Sequence, residues 1–161
     1  MTRRIWAPIG ERPVAHGHHR FEWLYVAAFV SPATGEVFWY GHNGVSKPFF
    51  EALLALFAKE TGAGDERIII LVLDNAGWRS EAGRKVPDGL RLVFLPPYSP
   101  QLQPAETLRA LVDEPIVNKH VPTIEDLEDI IAKRCVDLAG ERETVKRKSG
   151  FHRRPKIINP N

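Results

Sequence analysis

Cysteine is almost absent from this chain: the single Cys135 allows no internal disulfide and leaves the protein compatible with a reducing cytosol. Its expected role is that of a small buried hydrophobe on a helix. Long apolar runs are missing as well. Residues 68–73 (IIILVL) are uninterrupted, but a spanning helix needs roughly 20 such positions, so no membrane partner is expected. At the N-terminus Arg3 and Arg4 are followed by Trp6 and Pro8 without an apolar run of signal-peptide length, which points to a cytoplasmic location. No Gly-rich phosphate loop, Ser-His-Asp order or internal repeat can be traced. Acidic residues are lacking at one end only. The net charge of +2 is too small to argue for nucleic acid, yet no Asp or Glu follows Glu143. That end instead holds Lys146, Arg147, Lys148, Arg153, Arg154 and Lys156, a spacing equally suited to phosphate contacts and to a solvated terminus.

What is present fits one globular domain: 161 residues, 43% hydrophobic and 26% charged. Residues 21–30 (FEWLYVAAFV) are dense in aromatic and β-branched types, and the turn cluster at 31–35 (SPATG) leads into 37–40 (VFWY), so a strand, a turn and a strand are predicted. Phe50, Leu53, Leu54 and Phe57 then recur with helical spacing behind Ser46 as N-cap, and Gly62 and Gly64 follow as stop signals. Residues 67–73 do not alternate polar with apolar, which predicts a parallel strand covered on both faces, with Asp74 at its C-terminal end. Another strand is predicted at 90–95, closed by the rigid 96–100 loop (PPYSP). A helix should begin near Pro104, carry Glu106, Leu108, Leu111 and Val112, and be bent or ended by Pro115. The last predicted helix starts from a Thr123 cap, with Leu127, Ile130, Ile131, Cys135 and Leu138 as its apolar stripe. The order β, β, α, β, β, α, α is that of an α/β fold with a mixed sheet.

Two carboxylates stand out. Asp74 ends a strand and Glu106 opens a helix, so the chain can bring both to one edge of the sheet, where α/β proteins present reactive groups. Oxygen ligands of this kind suit Mg²⁺, which takes only one or two carboxylates and leaves other positions to water and phosphate. By themselves the two residues are more readily a turn residue or helix cap, for Asp74, and an exposed first-turn acid, for Glu106. His16, His18 and His19 form another cluster, but no Cys or acidic partner with ligand spacing lies near, so a polar loop is the expected reading. Trp23, Tyr25, Trp39 and Tyr40 are expected as core or cross-strand aromatics rather than as base-stacking platforms.

Residues 71–80 (LVLDNAGWRS), 91–106 (RLVFLPPYSPQLQPAE) and 111–120 (LVDEPIVNKH) resemble DDE superfamily endonucleases, the transposases of mariner-like bacterial insertion sequences. A weaker likeness extends from residues 4–8 through 22–26 and 31–35 to Phe151, His152 and Pro155. The resemblance implies an RNase H-like mixed sheet flanked by helices, as a partial catalytic domain over residues 1–140 with a basic C-terminal tail over 141–161. It implies Asp74 and Glu106 as the second and third acids of a D-D-E triad holding two Mg²⁺ or Mn²⁺ ions for phosphoryl transfer. The reactions implied are cleavage at transposon ends and strand transfer into target DNA. DNA is then the partner, together with a homo-oligomer or a full-length transposase.

The chain departs from the family pattern in four places. The family's first Asp lies on a strand just upstream of the segment matched by Arg3 to Trp6, and no such strand precedes it here. A His that usually follows Asp-Asn-Ala-Gly-Trp is replaced by Arg79, the usual Glu-Arg-x-Trp reads Glu106-Thr107-Leu108-Arg109, and Arg153-Arg154 stand where paired Trp are common. These departures lead us to expect a truncated enzyme that does not cut DNA alone and lacks its first, central strand. The gap left by that strand should be filled by a partner, by a displaced segment such as residues 3–9, or by collapse of the sheet. The rival expectation is a non-catalytic remnant that binds DNA or full-length transposase.

Overall fold

The computed structural model describes residues 9–10, 23–74, 85–97, 99 and 102–150. Within them the elements run β1 (Tyr25–Val30), β2 (Val37–His42), α1 (Lys47–Thr61), β3 (Ile69–Leu73), β4 (Leu90–Phe94), α2 (Pro104–Asp113), a 3-10 turn (Glu114–Ile116), α3 (Ile124–Gly140) and α4 (Arg142–Ser149).

Helix α1 forms where its punctuation says it should. The Ser46 side chain accepts from the Phe49 amide, Pro48 occupies the first turn, and Gly62 in the left-handed region closes the other end. Its apolar stripe of Phe50, Leu53, Leu54 and Phe57 is buried. That stripe packs against Ala27, Phe29, Phe38 and Tyr40 of the β1–β2 pair and against Leu71, Leu73 and Leu90 of the β3–β4 pair. One helix thus holds both strand pairs on the same side. Tyr40 ties β2 to α1 by donating to the Glu60 carboxylate, and desolvation, that hydrogen bond and the Glu60 charge together push its phenol above the usual range.

Strands β1 and β2 pair antiparallel from Tyr25↔His42 to Val30↔Val37. Their turn is closed by the Gly35 amide donating to the Ser31 carbonyl (2.8 Å) and the Ser31 amide donating to that of Glu36 (2.8 Å). Gly35 has φ +74, and a Cβ there would lie 2.0 Å from the Arg142 carbonyl oxygen at the start of α4. Conformation and packing therefore both demand glycine. We expect Gly35→Ala to cost about 3 kcal/mol, read as a lower urea midpoint with an unchanged slope; an unaltered midpoint would contradict the packing of α4 on this turn.

Strands β3 and β4 pair in parallel from Ile69↔Leu90 to Leu73↔Phe94, as a strand–crossover–strand unit requires. The expected coverage of both β3 faces is not what the structure shows. Leu71 and Leu73 are buried under α1, whereas Ile70 is 65% exposed and Val72 45% exposed. Apolarity in the sequence reported the demand for cover, but no described element packs on that second face. The four strands also form two two-stranded sheets, β1-β2 and β3-β4, instead of one continuous mixed sheet. No described strand bridges β1 and β3. The class is nonetheless mixed α/β.

Helices α2 and α3 cover the other face of the β1–β2 pair. Val112, Ile131, Cys135 and Leu138 are buried there against Leu24, Val26 and Trp39. Pro115 ends α2 as expected, and the Thr123 hydroxyl accepts from the Asp126 amide to open α3. Arg134 locks the two helices together: its Nε donates to the Leu111 carbonyl (3.0 Å), and its guanidinium pairs with Glu114 (3.1 Å) and Glu141 (3.5 Å). Burial raises the Cys135 thiol to about 11. A thiol reagent at pH 8 should accordingly modify Cys135 only in denaturant; rapid native labelling would contradict its burial. Because the fold favours the neutral thiol, its contribution to stability is complete below the ordinary value of 9.0 and is lost as the pH rises towards 11.

Helix α4 was not foreseen. It lies within the segment expected as a basic tail, and it packs onto the rest of the fold. Val145 is fully buried with Val37 and Leu108, and the buried Ser149 hydroxyl donates to the Val145 carbonyl (2.8 Å). Among the described residues no helix is long and apolar enough to cross a membrane.

Candidate functional site

Asp74 directly follows β3 and is half-buried. The Leu95 amide donates to the Leu73 carbonyl at 2.7 Å, so β4 hands the chain into its proline loop right beside Asp74. From there the chain reaches α2, whose Pro104 fixes the first turn and places Glu106, exposed, in that turn. A cleft of about 1050 Å³ is lined by both Leu73, the neighbour of Asp74, and Glu106. One turn along α2, Arg109 also lines this cleft, and its Nε lies 3.5 Å from Asp113, which engages the cation within its own helix. Among the described residues no group of three or more His, Cys, Asp or Glu side chains converges as a metal cluster.

The second feature is cationic. Lys146, Arg147 and Lys148 form the last turn of α4 and are exposed. Positive charge at a helix C-terminus is favourable by itself, because it offsets the negative end of the macrodipole. Their position adds something further. Thr107, next to Glu106, has its hydroxyl 2.7 Å from the Pro104 carbonyl oxygen and 3.0 Å from that of Lys148. The basic turn of α4 is thereby pinned to the turn of α2 that bears the acid. Nothing in the sequence signalled this contact, since Thr107 and Lys148 lie far apart along the chain.

Several expected features lie outside the described residues: Arg153, Arg154, Lys156, the histidines 16, 18 and 19, residues 3–8 and the motif residues 75–80 that follow Asp74. Of the aromatic group, Trp39 and Tyr40 pack in the hydrophobic clusters and Tyr25 stacks on His42 at 5.3 Å, whereas Trp23 is 68% exposed at the cleft.

An α/β domain with an acid at a strand end and a second acid, lining a cleft, in the first turn of a later helix is of the class that presents reactive groups beyond its strand ends. The family can be stated more closely. The chain belongs to the DDE superfamily endonucleases, whose family model matches residues 1–128. It is also similar to the uncharacterized protein y4pE/y4sA of Sinorhizobium fredii (strain NBRC 101917 / NGR234), with 30% identity over 116 residues, covering 70% of this chain and 81% of that protein. No solved structure matches. Endonucleases of this superfamily act on DNA and generally use divalent metal ions.

Proposed function

We propose that this chain is the catalytic part of an insertion-sequence transposase, with an RNase H-like core over residues 1–140 and a basic segment over 141–161 that faces DNA. Asp74 and Glu106 are assigned as metal ligands and Lys146, Arg147, Lys148, Arg153, Arg154 and Lys156 as phosphate contacts. The observation that carries the reading is that Glu106 lines the cleft also lined by Leu73, the residue before Asp74, and by Leu95, whose amide donates to the Leu73 carbonyl.

The donor set suits the cofactor. Carboxylate oxygens are what Mg²⁺ or Mn²⁺ takes, and the nearest lining cation, Arg109, is engaged by Asp113 rather than aimed at Glu106. When bound, such ions supply polarisation of a phosphodiester and activation of a water or a 3′-hydroxyl, the chemistry of end cleavage and strand transfer. Asp74 and Glu106 hold and orient, and the cations of α4 bring the DNA backbone to the acid-bearing turn of α2.

The test is nicking of transposon-end and plasmid DNA in Mg²⁺ or Mn²⁺. It is run on the 161-residue chain and on a form extended at its N-terminus by an acid-bearing strand, because three carboxylates space two ions where two do not. Nicking by the extended form that disappears with Asp74→Ala supports the reading. DNA binding by both forms with no nicking in either metal identifies a non-catalytic remnant instead.

A further inference from the structure

We propose that Arg109 is a phosphate clamp: its guanidinium, anchored by Asp113, takes two oxygens of one DNA backbone phosphate beside Glu106. Such a clamp presupposes the DNA-processing role proposed for the chain. The family likeness assigns Arg109 no role, because it stands where the family wording has Trp.

Glu106, Arg109 and Asp113 all line the cleft of about 1050 Å³, and their spacing puts them on one face of α2. Among the described residues Arg109 is the one lysine or arginine in that lining, and the cations of α4 lie outside it. A phosphate drawn towards Glu106 therefore meets a stretch of α2 that carries two acids and a single cation. One turn separates Arg109 from Glu106, so their Cβ atoms stand about 5–6 Å apart. The Arg109 side chain is 69% exposed, free to turn its head towards a phosphate beside that acid.

Asp113 engages one side of that head only. Arg109 Nε lies 3.5 Å from Asp113 Oδ2, and among the described residues the terminal Nη1 and Nη2 have no partner. The fork that matches two phosphate oxygens is thus left open, and this paired geometry is what distinguishes arginine from lysine. Helix stability does not account for the pair. An acid at the last position of α2, with the cation one turn before it, runs against the macrodipole, and an ion pair with so exposed a cation contributes little. Nor is the contact a completed hydrogen bond. Asp113 Oδ2 is buried and has no hydrogen-bond partner among the described residues, because 3.5 Å is beyond the ordinary N–H···O range. A buried acceptor in that state is costly, and a small inward movement of Nε as Nη1 and Nη2 close on a phosphate completes the bond. Anchoring at Nε also reduces the side-chain freedom that phosphate binding has to remove.

The probe is a short DNA duplex of arbitrary sequence, titrated into the full 161-residue chain, Arg109→Ala and Arg109→Lys at several salt concentrations. Arg109→Ala should lower affinity about tenfold and the slope of log affinity against log salt by about 1. Arg109→Lys should keep the slope, since it keeps the charge, yet bind severalfold more weakly than the parent because it lacks the paired fork. In the parent chain the Arg109 Nε–H resonance, assigned by its absence from Arg109→Lys, should shift as duplex is added and saturate with the binding curve. Urea midpoints of both variants should match the parent, given the exposure of the side chain. Parent-like affinity of Arg109→Ala, full rescue by lysine, or an Nε–H resonance that DNA does not move overturns the clamp. If affinity falls on replacing Lys146, Arg147 and Lys148 but not on replacing Arg109, the clamp alone fails and the proposed function stands. Absence of DNA binding by the parent chain overturns both.

Discussion

Asp74→Asn and Glu106→Gln should each reduce metal-dependent DNA nicking by about 10³-fold or more in any form of the protein that nicks, with substrate affinity nearly unchanged. Both changes keep the side chain's size and one oxygen while removing the charge that a hard divalent cation requires. Neither should harm the fold. Glu106 is exposed, and the first turn of α2 is set by Pro104 rather than by a side-chain cap. Circular dichroism and urea midpoints separate the two effects, because a loss of nicking with an intact midpoint is chemical. Retained nicking in either variant would remove that residue from the site.

The second large effect concerns DNA affinity. Replacing Lys146, Arg147 and Lys148 together by Ala should lower the slope of log affinity against log salt by about 3, since each phosphate contact releases close to one counterion. Affinity at low salt should fall by at least about a hundredfold. The helix itself should persist, because Val145 and Ser149, which pack it, are untouched and Ala is a strong helix former. An unchanged slope would mean that these cations only offset the α4 dipole, and that the phosphate contacts lie elsewhere.

The parts of the fold that could be read in advance share a physical basis. Helices α1 and α3 were legible because a polar cap, Ser46 or Thr123, stands directly before an apolar stripe of helical period. Pro115 was equally plain as the end of α2. Two features were not legible, each for its own reason. Helix α4 escaped notice because Val145 is the one apolar side chain among its eight residues, and a lone apolar position has no period. The second face of β3, on which no described element packs, was not legible because residues 68–73 state that cover is needed, not which residues supply it. The separation of β1 from β3 among the described strands falls where the family resemblance led us to expect a gap, although edge pairing itself leaves no trace in the order of residues along either strand. As for the site, Asp74 and Glu106 were singled out by the motif wording around them, since a strand-end Asp and a first-turn Glu are common in structural roles. The contact of Thr107 with Lys148, which brings the basic turn to the acidic one, joins residues too far apart along the chain for any local pattern to announce it.

The central claim is that Asp74 and Glu106 act on one metal site, and Mn²⁺ binding followed by electron paramagnetic resonance tests it most directly. The chain, Asp74→Asn, Glu106→Gln and the double variant are compared in the absence of DNA. A shared site predicts that each single substitution weakens binding by about tenfold or more, and that the double variant is scarcely weaker than either, because residues acting on one ion are strongly non-additive. Binding that survives both substitutions, or losses that simply add as for independent sites, would contradict it.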